Sequence, residues 1–134
     1  MRTIVSIKWF AFRWGPALLM MAAIFVLSGT PDDDLPSLGG WEDVITSSGH
    51  ALGYALLAGA FLHALTGRRA ISLTLMTLAV ALAIAYGVSD EYHQSFVPGR
   101  TPDGFDMMVD GIGAVIGVAA CRALRLRRAP QRSE

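Results

Sequence analysis

The sequence predicts an all-α integral membrane protein with four membrane-spanning helices. Of its 134 residues, 53% are hydrophobic and only 16% are charged, which is unusual for a soluble domain of this length. Four apolar stretches approach the roughly 20 residues that a helix needs to cross a bilayer. Short segments rich in Pro, Gly and Asp separate them and mark chain reversals. We therefore predict one four-helix membrane domain over residues 1–134, of which residues 125–134 form a basic cytoplasmic tail.

The four spans are placed at residues 10–28, 44–66, 71–89 and 105–124. Arg13 lies near the start of the first span, where it can snorkel to the membrane surface beside Trp9 and Trp14. Pro16 is expected in the first turns of that helix, where proline is tolerated best. The alternative for this stretch is a secretory signal peptide that ends near residues 26–28, although the apolar run is long for one.

Basic side chains predict the orientation of the chain, because short cytoplasmic loops retain Lys and Arg while acidic residues are weak determinants. Ten of the eleven basic residues lie before or at the start of the first span, between the second and third spans, or at the end of or after the fourth; Arg100 is the exception. Both termini are therefore predicted to be cytoplasmic. We expect no nucleic-acid partner, since orientation and anionic lipid account for the terminal segment CRALRLRRAP.

Polar residues recur at helical spacing near the predicted outer ends of the second, third and fourth spans. Spacings of three, four or seven residues place side chains on one face of a helix, and they relate His50 to Tyr54, Tyr86 to Asp90 and His93, and Asp106 to Asp110. The loop that follows the third span adds Glu91, Gln94 and Arg100, and its Pro-Gly turn can direct Arg100 back toward the carboxylates. Thr101–Pro102 predicts the start of the fourth helix. We expect one polar cluster at the outer side.

Two pairs of glycines at a spacing of four residues predict close approach of neighbouring helices, because small residues allow helix backbones to pack together in membranes. They are Gly49 with Gly53 in the second span and Gly113 with Gly117 in the fourth. Some polar residues also have purely structural interpretations: Asp106 can complement the helix dipole, and Tyr54 can be an interfacial aromatic. Asp110 lies a turn deeper, where an ionised aspartate costs up to about 3 kcal/mol unless it is paired or hydrated.

Two sequence blocks resemble the VanZ-like family of small bacterial membrane proteins, whose founding member is associated with teicoplanin resistance. The first is SGHALGYALLAG, at residues 48–59, with a His-x-x-x-Tyr-x-x-Leu element. The second is YGVSDEYHQSFVPGRTPDGFDMMVDGIGAVIG, at residues 86–117, where Asp-Glu-x-x-Gln precedes Phe-x-Pro-Gly-Arg and a pair of aspartates. The resemblance covers residues 10 to 124 and implies a multi-pass protein of the bacterial cytoplasmic (inner) membrane.

The resemblance implies a shared set of polar or turn residues, namely His50, Tyr54, Asp90, Glu91, His93, Gln94, Pro98, Gly99, Arg100, Asp106 and Asp110. Two positions depart from the family pattern. Ser47 stands where the family often has Lys, and Asp110 stands where it often has Asn. Both changes make this cluster more acidic, and the first removes the cation that a lysine-dependent role would need.

The favoured function is binding, and by extension processing, of an anionic lipid or lipid-linked cell-wall precursor at the outer leaflet, with a link to glycopeptide resistance implied by the family. Arg100, with Tyr54, Gln94, Asp106 and Asp110, would bind the ligand. The candidates for catalysis are Glu91, His93, Asp90 and His50, because carboxylates and imidazoles are the usual proton-exchanging groups. Nothing in the sequence identifies a nucleophile, so enzymatic activity stays open, and no cofactor is predicted.

Three alternatives remain. The cluster can be a structural network that locks the helix ends of a non-enzymatic protein, provided that its polar groups are satisfied. It can hold a metal, since His50, Glu91, His93 and Asp106 are suitable ligand types, but no recognised ligand spacing supports this. A transporter is weaker, because four spans without a broken helix leave little room for alternating access. The sequence does not determine the oligomeric state.

Overall fold

Four α-helices make up the fold. The structure is a computed structural model that describes residues 2–31, 41–67, 69–100 and 104–128; side chains are described from Lys8 onward, except those of residues 42, 43 and 128. The helices are α1 (Arg2–Ser28), α2 (Glu42–Thr66), α3 (Leu73–Gln94) and α4 (Gly104–Arg128). Each is long and apolar enough to cross a membrane. These ranges contain no strand, so the predicted all-α class with four candidate spans is confirmed.

The helix ends differ from the predicted spans where the chain stops being apolar but continues as helix. Helix α1 begins at Arg2 rather than at residue 10, so Pro16 lies in the helix interior and not in the first turns; it removes the N–H that would bond to Phe12. Helix α3 continues past Ser89 to Gln94, and α4 reaches Arg128. The predicted start of the fourth helix at Thr101–Pro102 lies outside the described residues.

Helix α2 occupies the centre of the bundle and packs against the other three helices. Its residues Tyr54, Leu57, Ala58 and Leu62 are almost fully buried. Large apolar side chains point outward instead, among them Phe12, Leu19, Leu27, Ile112 and Ile116. An apolar exterior around a small core is the pattern that a lipid environment favours, because lipid tails solvate such side chains as well as the protein interior does.

The glycine pair of α4 packs directly against the backbone of α2. A Cβ atom added to Gly113 would lie 2.9 Å from Cα of Ala51, and one added to Gly117 would lie 2.8 Å from Cα of Ala55. Real Cβ atoms do not approach backbone atoms this closely, so only glycine permits this packing of α4 on α2. The close approach predicted for Gly113 and Gly117 is therefore confirmed.

Two arginines hold the end of the bundle at which α2 ends and α3 begins, which we call the basic end. The guanidinium of Arg13 on α1 donates a hydrogen bond to the carbonyl of Ala64 and lies over the ring of Trp9, 4.6 Å from its centroid. From α4, Arg125 donates to the carbonyls of Gly67 and Arg69, at 3.3 and 3.2 Å. Cations near a helix C-terminus are favourable, since the last carbonyls are unpaired and carry partial negative charge.

Candidate functional site

The opposite end of the bundle, which we call the acidic end, gathers side chains from all four helices. Helices α1 and α3 finish there, while α2 and α4 start there. Five of the residues singled out in the sequence are buried or nearly so: Tyr54, Asp90, Glu91, Gln94 and Asp110. Charged and amide side chains are rarely buried in a small domain unless they have partners. Each buried polar group of this cluster is therefore expected to have a partner close by.

His50 and Asp110 join α2 to α4. Nδ1 of His50 lies 3.1 Å from Oδ1 of Asp110, and the Asp110 side chain is only 3% exposed. An aspartate at this depth was expected to need a partner, and His50 is that partner. An imidazole whose Nδ1 is held by a carboxylate has a fixed ring orientation and presents Nε2 to its surroundings.

Asp90 is the second buried carboxylate, and it connects α3 to α1. Its Oδ2 lies 2.7 Å from Oγ of Ser28 and accepts a hydrogen bond of 3.3 Å from Nε2 of Gln94. The Ser28 hydroxyl also lies 2.7 Å from the carbonyl oxygen of Ile24. Gln94 thus adjoins Asp90, as its spacing on the helix predicted. Ser28 was not predicted, because a serine at the end of an apolar run is indistinguishable in sequence from a simple helix terminus.

Three oxygen atoms of the cluster are buried without a hydrogen-bond partner in the described part of the chain: the hydroxyl of Tyr54, Oδ1 of Asp90 and Oδ2 of Asp110. Gly87 faces two of these atoms, since a Cβ atom there would lie 3.5 Å from both the Tyr54 hydroxyl and Oδ2 of Asp110. Buried polar atoms in native proteins are nearly always paired, so helix packing alone does not explain these three residues.

Arg100 reaches the acidic end from the loop after α3. The backbone N–H of Arg100 donates to the carbonyl of Val97 at 3.1 Å, and Gly99 has φ of 79°. Pro followed by a glycine with positive φ is the pattern of a type II turn. The turn carries Arg100 toward α1, where its Nε donates to the carbonyl of Thr30 at 3.2 Å. The Pro-Gly turn thus places the arginine side chain beside the end of α1, and its predicted orientation toward the carboxylates stays a prediction.

A groove of about 290 Å³ lies between α1 and α2 and ends at this arginine. Its apolar wall comes from α1, through Met20, Ala23, Ile24 and Leu27. Gly49 and Gly53 line the α2 side. The residues that form its polar end are Ser28, Thr46, His50, Tyr54, Gln94 and Arg100.

The predicted close packing of a neighbouring helix at Gly49 and Gly53 is wrong. A Cβ atom added to Gly49 would meet nothing within 4 Å, and one added to Gly53 would meet only Ile24.

The other predicted residues lie around this groove rather than along it. His93 stacks on Phe25 of α1, with ring centroids 4.1 Å apart, and so fastens α3 to α1. Asp106 is half-buried in the first turn of α4, and Glu91 is buried on α3. Tyr86 donates a hydrogen bond of 2.6 Å to the carbonyl of Met21.

Metal binding receives no geometric support from the described residues. Nowhere in the described ranges do three His, Cys, Asp or Glu side chains converge in an arrangement that could hold an ion. Sequence reasoning also missed the contribution of α1 and the residues just after it, which supply Ser28, Phe25 and the carbonyls of Met21 and Thr30. No motif could have indicated the two carbonyls, since backbone acceptors leave no trace in residue type.

These features define a class: a small multi-pass membrane protein whose four helices enclose a polar network at one end. The family model described as VanZ/LLP1 matches residues 14–125, which is most of the chain, and the protein belongs to this family. It is accordingly a VanZ-like membrane protein of the cell envelope. No curated protein and no solved structure matches the chain significantly.

Proposed function

We infer that the acidic end binds the anionic head group of an envelope lipid or lipid-linked cell-wall precursor, in the outer leaflet of the cytoplasmic membrane. The observation that carries this proposal is the placement of Arg100 at the polar end of a groove whose wall along α1 is apolar. A guanidinium is suited to phosphate and carboxylate groups, which it can bind through two parallel hydrogen bonds. An apolar wall with a few polar groups at one end is the usual character of a ligand site.

His50 is the residue of the groove to which we assign proton exchange with the head group. It lines the polar end, and Asp110 fixes its orientation. Histidine is suited to proton transfer near neutral pH, and a neighbouring carboxylate that orients the ring is a common support for this role. Tyr54 and Gln94 complete the polar lining of the groove. The remaining candidates for proton exchange lie around the groove and would support His50 from there; they are Glu91, His93, Asp90 and Asp106.

The second candidate is a structural network, and two hydrogen bonds favour it. Ser28 with Asp90 and His50 with Asp110 each connect a pair of helices, as residues of a structural network would. Against it stand the buried oxygens of Tyr54, Asp90 and Asp110, because a network stabilises best when each of its polar groups is paired. We therefore favour ligand binding.

Lipid retention by an Arg100 variant separates the two functions. Wild type, Arg100→Ala, Arg100→Lys and the control Arg127→Ala, which removes an exposed cation at the basic end, would be reconstituted in nanodiscs. The discs would contain phosphatidylglycerol or phosphatidylcholine, and lipid retained after detergent extraction would be measured by native mass spectrometry. We expect Arg100→Ala alone to lose its preference for phosphatidylglycerol while it keeps its fold. Equal retention in all four proteins would overturn head-group binding.

The same proteins test the structural alternative through their yield and melting temperature. Removal of one partner of a truly buried ion pair costs about 3 to 5 kcal/mol, so a structural role predicts that Arg100→Ala fails to accumulate. Arg100→Lys keeps the positive charge and should retain most of the phosphatidylglycerol. A variant that binds normally but unfolds readily would favour the structural network.

A further inference from the structure

The groove between α1 and α2, which we call the slot, has the length and the position that one lipid chain requires. Its wall runs along α1 from Met20 to Ser28, which covers about 12 Å of helix axis at 1.5 Å per residue. One leaflet of a bilayer has an apolar half-thickness of about 15 Å. The groove therefore spans most of the leaflet at the acidic end and lies within the candidate membrane spans of both helices.

Two glycines leave this slot open without being needed for helix packing. A Cβ atom added to Gly49 would have no neighbouring atom within 4 Å, and one added to Gly53 would meet its nearest atom, Cγ1 of Ile24, at 4.0 Å. At the same spacing on α4, Gly113 and Gly117 press directly on the backbone of α2. An apolar slot in hydrocarbon has to be filled, because its lining would otherwise lose dispersion contacts.

The polar end of the slot indicates which lipid fills it. Arg100 and His50 stand at the end nearest the membrane surface, so a chain in the slot places its head group against a cation. A second groove, between α3 and α4, lies beside Ile84, Met108, Gly111 and Ile116 and has no polar side chain in its lining. That groove can contact any lipid chain, whereas the slot between α1 and α2 combines a chain with a charged recognition group.

We propose that this slot holds one acyl chain of an anionic glycerophospholipid, with Gly49 and Gly53 as the residues that determine whether the chain fits. The volume of about 290 Å³ lies at the small end of ligand sites and suits one chain, while the second chain stays in the bilayer. The proposal rests on the head-group site proposed above and names the class of lipid that it takes.

Filling the slot tests the proposal. Gly49→Leu and Gly53→Leu place a side chain in the space of the lipid chain, and Gly111→Leu is a matched control, because a Cβ there likewise meets one isoleucine atom, Cδ1 of Ile84, at 4.0 Å. Retained phosphatidylglycerol would be measured by native mass spectrometry after reconstitution. We expect at least a fivefold loss in both slot variants and none in the control. Wild-type retention in both slot variants would overturn the slot.

Comparison with Arg100→Ala separates failure of the slot from failure of the head-group site. If the slot variants lose the lipid and Arg100→Ala retains it, the chain site stands and head-group recognition fails. If only Arg100→Ala loses it, the head-group site stands and the slot fails. Phosphatidylcholine with identical chains reports on the charge requirement alone.

Wild-type protein provides a second measurement, which does not depend on the folding of any variant. Phosphatidylglycerol with a photoreactive diazirine in one chain would be reconstituted, irradiated and the adducts mapped by peptide mass spectrometry. We expect enrichment on Ala23, Ile24 and the segment 49–53 relative to the outward-facing Ile112 and Ile116. Adducts confined to the outward-facing residues would exclude a chain in the slot.

Discussion

Nδ1 of His50 and Oδ1 of Asp110 lie 3.1 Å apart and connect the central helix to α4 at the acidic end. The same histidine lines the groove, and its ring lies nearly parallel to that of Tyr54, at 3° and with centroids 6.4 Å apart. One contact thus serves both the packing of two helices and the orientation of a side chain in the candidate site.

The His50–Asp110 contact is expected to show energetic coupling. Asp110→Ala should lower the free energy of unfolding by about 1 to 3 kcal/mol, because it leaves a buried polar partner unsatisfied. Asp110→Asn should cost less, since its amide oxygen can still accept a hydrogen bond. A double-mutant cycle with His50→Ala, measured by unfolding in detergent, should give a coupling of roughly 0.5 to 3 kcal/mol. If the two substitutions have additive effects on the free energy of unfolding, the His50–Asp110 contact contributes nothing to stability.

Substitutions on α4 should distinguish tight glycines from open ones. Gly113→Ala and Gly117→Ala force a methyl group onto the backbone of α2 and should lower the free energy of unfolding by about 1 to 3 kcal/mol. Gly111→Ala, on the same helix with open space around it, should be neutral or stabilising, because alanine favours helix by about 1 kcal/mol. Thermal unfolding in detergent measures all three. Equal melting temperatures would contradict the observed contact.

Tyr54→Phe tests whether the unpartnered hydroxyl serves the fold or a ligand. Because that hydroxyl is buried without a partner among the described residues, its removal should not lower the free energy of unfolding and should raise it by up to about 1 to 3 kcal/mol. Tyr54→Ala, which empties a buried volume, should cost about 3 to 5 kcal/mol. If the hydroxyl contacts a head group, Tyr54→Phe should also retain less phosphatidylglycerol. A marked loss of stability in Tyr54→Phe would instead indicate a structural role.

The role of His93 can be separated from its stacking on Phe25. His93→Phe keeps an aromatic ring at this position and should preserve the fold, whereas His93→Ala loses a stacking contact worth about 0.5 to 1.5 kcal/mol. If His93 exchanges protons with a ligand, a cellular or lipid-binding phenotype should be lost in both variants. If His93→Phe keeps that phenotype, the only role of His93 is its contact between α3 and α1.

Reporter fusions test the predicted orientation. Fusions after Gly40, Arg69, Arg100 and Arg128 should report outer, cytoplasmic, outer and cytoplasmic positions in turn, because ten basic residues fall on the predicted inner side. Alkaline phosphatase and green fluorescent protein give opposite signals at each site and so control for expression. A cytoplasmic signal after Arg100 would place the candidate site on the inner face.

Hydropathy located the four helices, because length and apolar content are local properties of the sequence. It could not locate the start of α1 at Arg2 or the end of α3 at Gln94, since a helix continues beyond the apolar core wherever its backbone hydrogen bonds continue. The same reasoning placed Pro16 wrongly, because the position of a proline within a helix depends on where that helix begins.

Glycine spacing shows what sequence patterns cannot resolve. The pairs Gly49–Gly53 and Gly113–Gly117 are equivalent in the sequence, yet only the second pair contacts a neighbouring helix. The difference arises from which helix face lies opposite, and that is a property of the whole bundle. For the same reason the sequence indicated the polar residues of the cluster but neither the groove beside them nor the part that Ser28 takes.

The arginine contacts at the basic end affect how the bundle can respond to its surroundings. Arg13 and Arg125 bind neutral peptide carbonyls rather than carboxylates, and a guanidinium stays charged throughout the physiological pH range. Acidification therefore removes neither partner of these contacts. The acidic end, by contrast, contains titratable side chains from three helices: His50 on α2, Asp90, Glu91 and His93 on α3, and Asp106 and Asp110 on α4. A change in pH should consequently alter the charges and contacts at the acidic end, while the arginine contacts continue to hold α1 and α4 to the basic end.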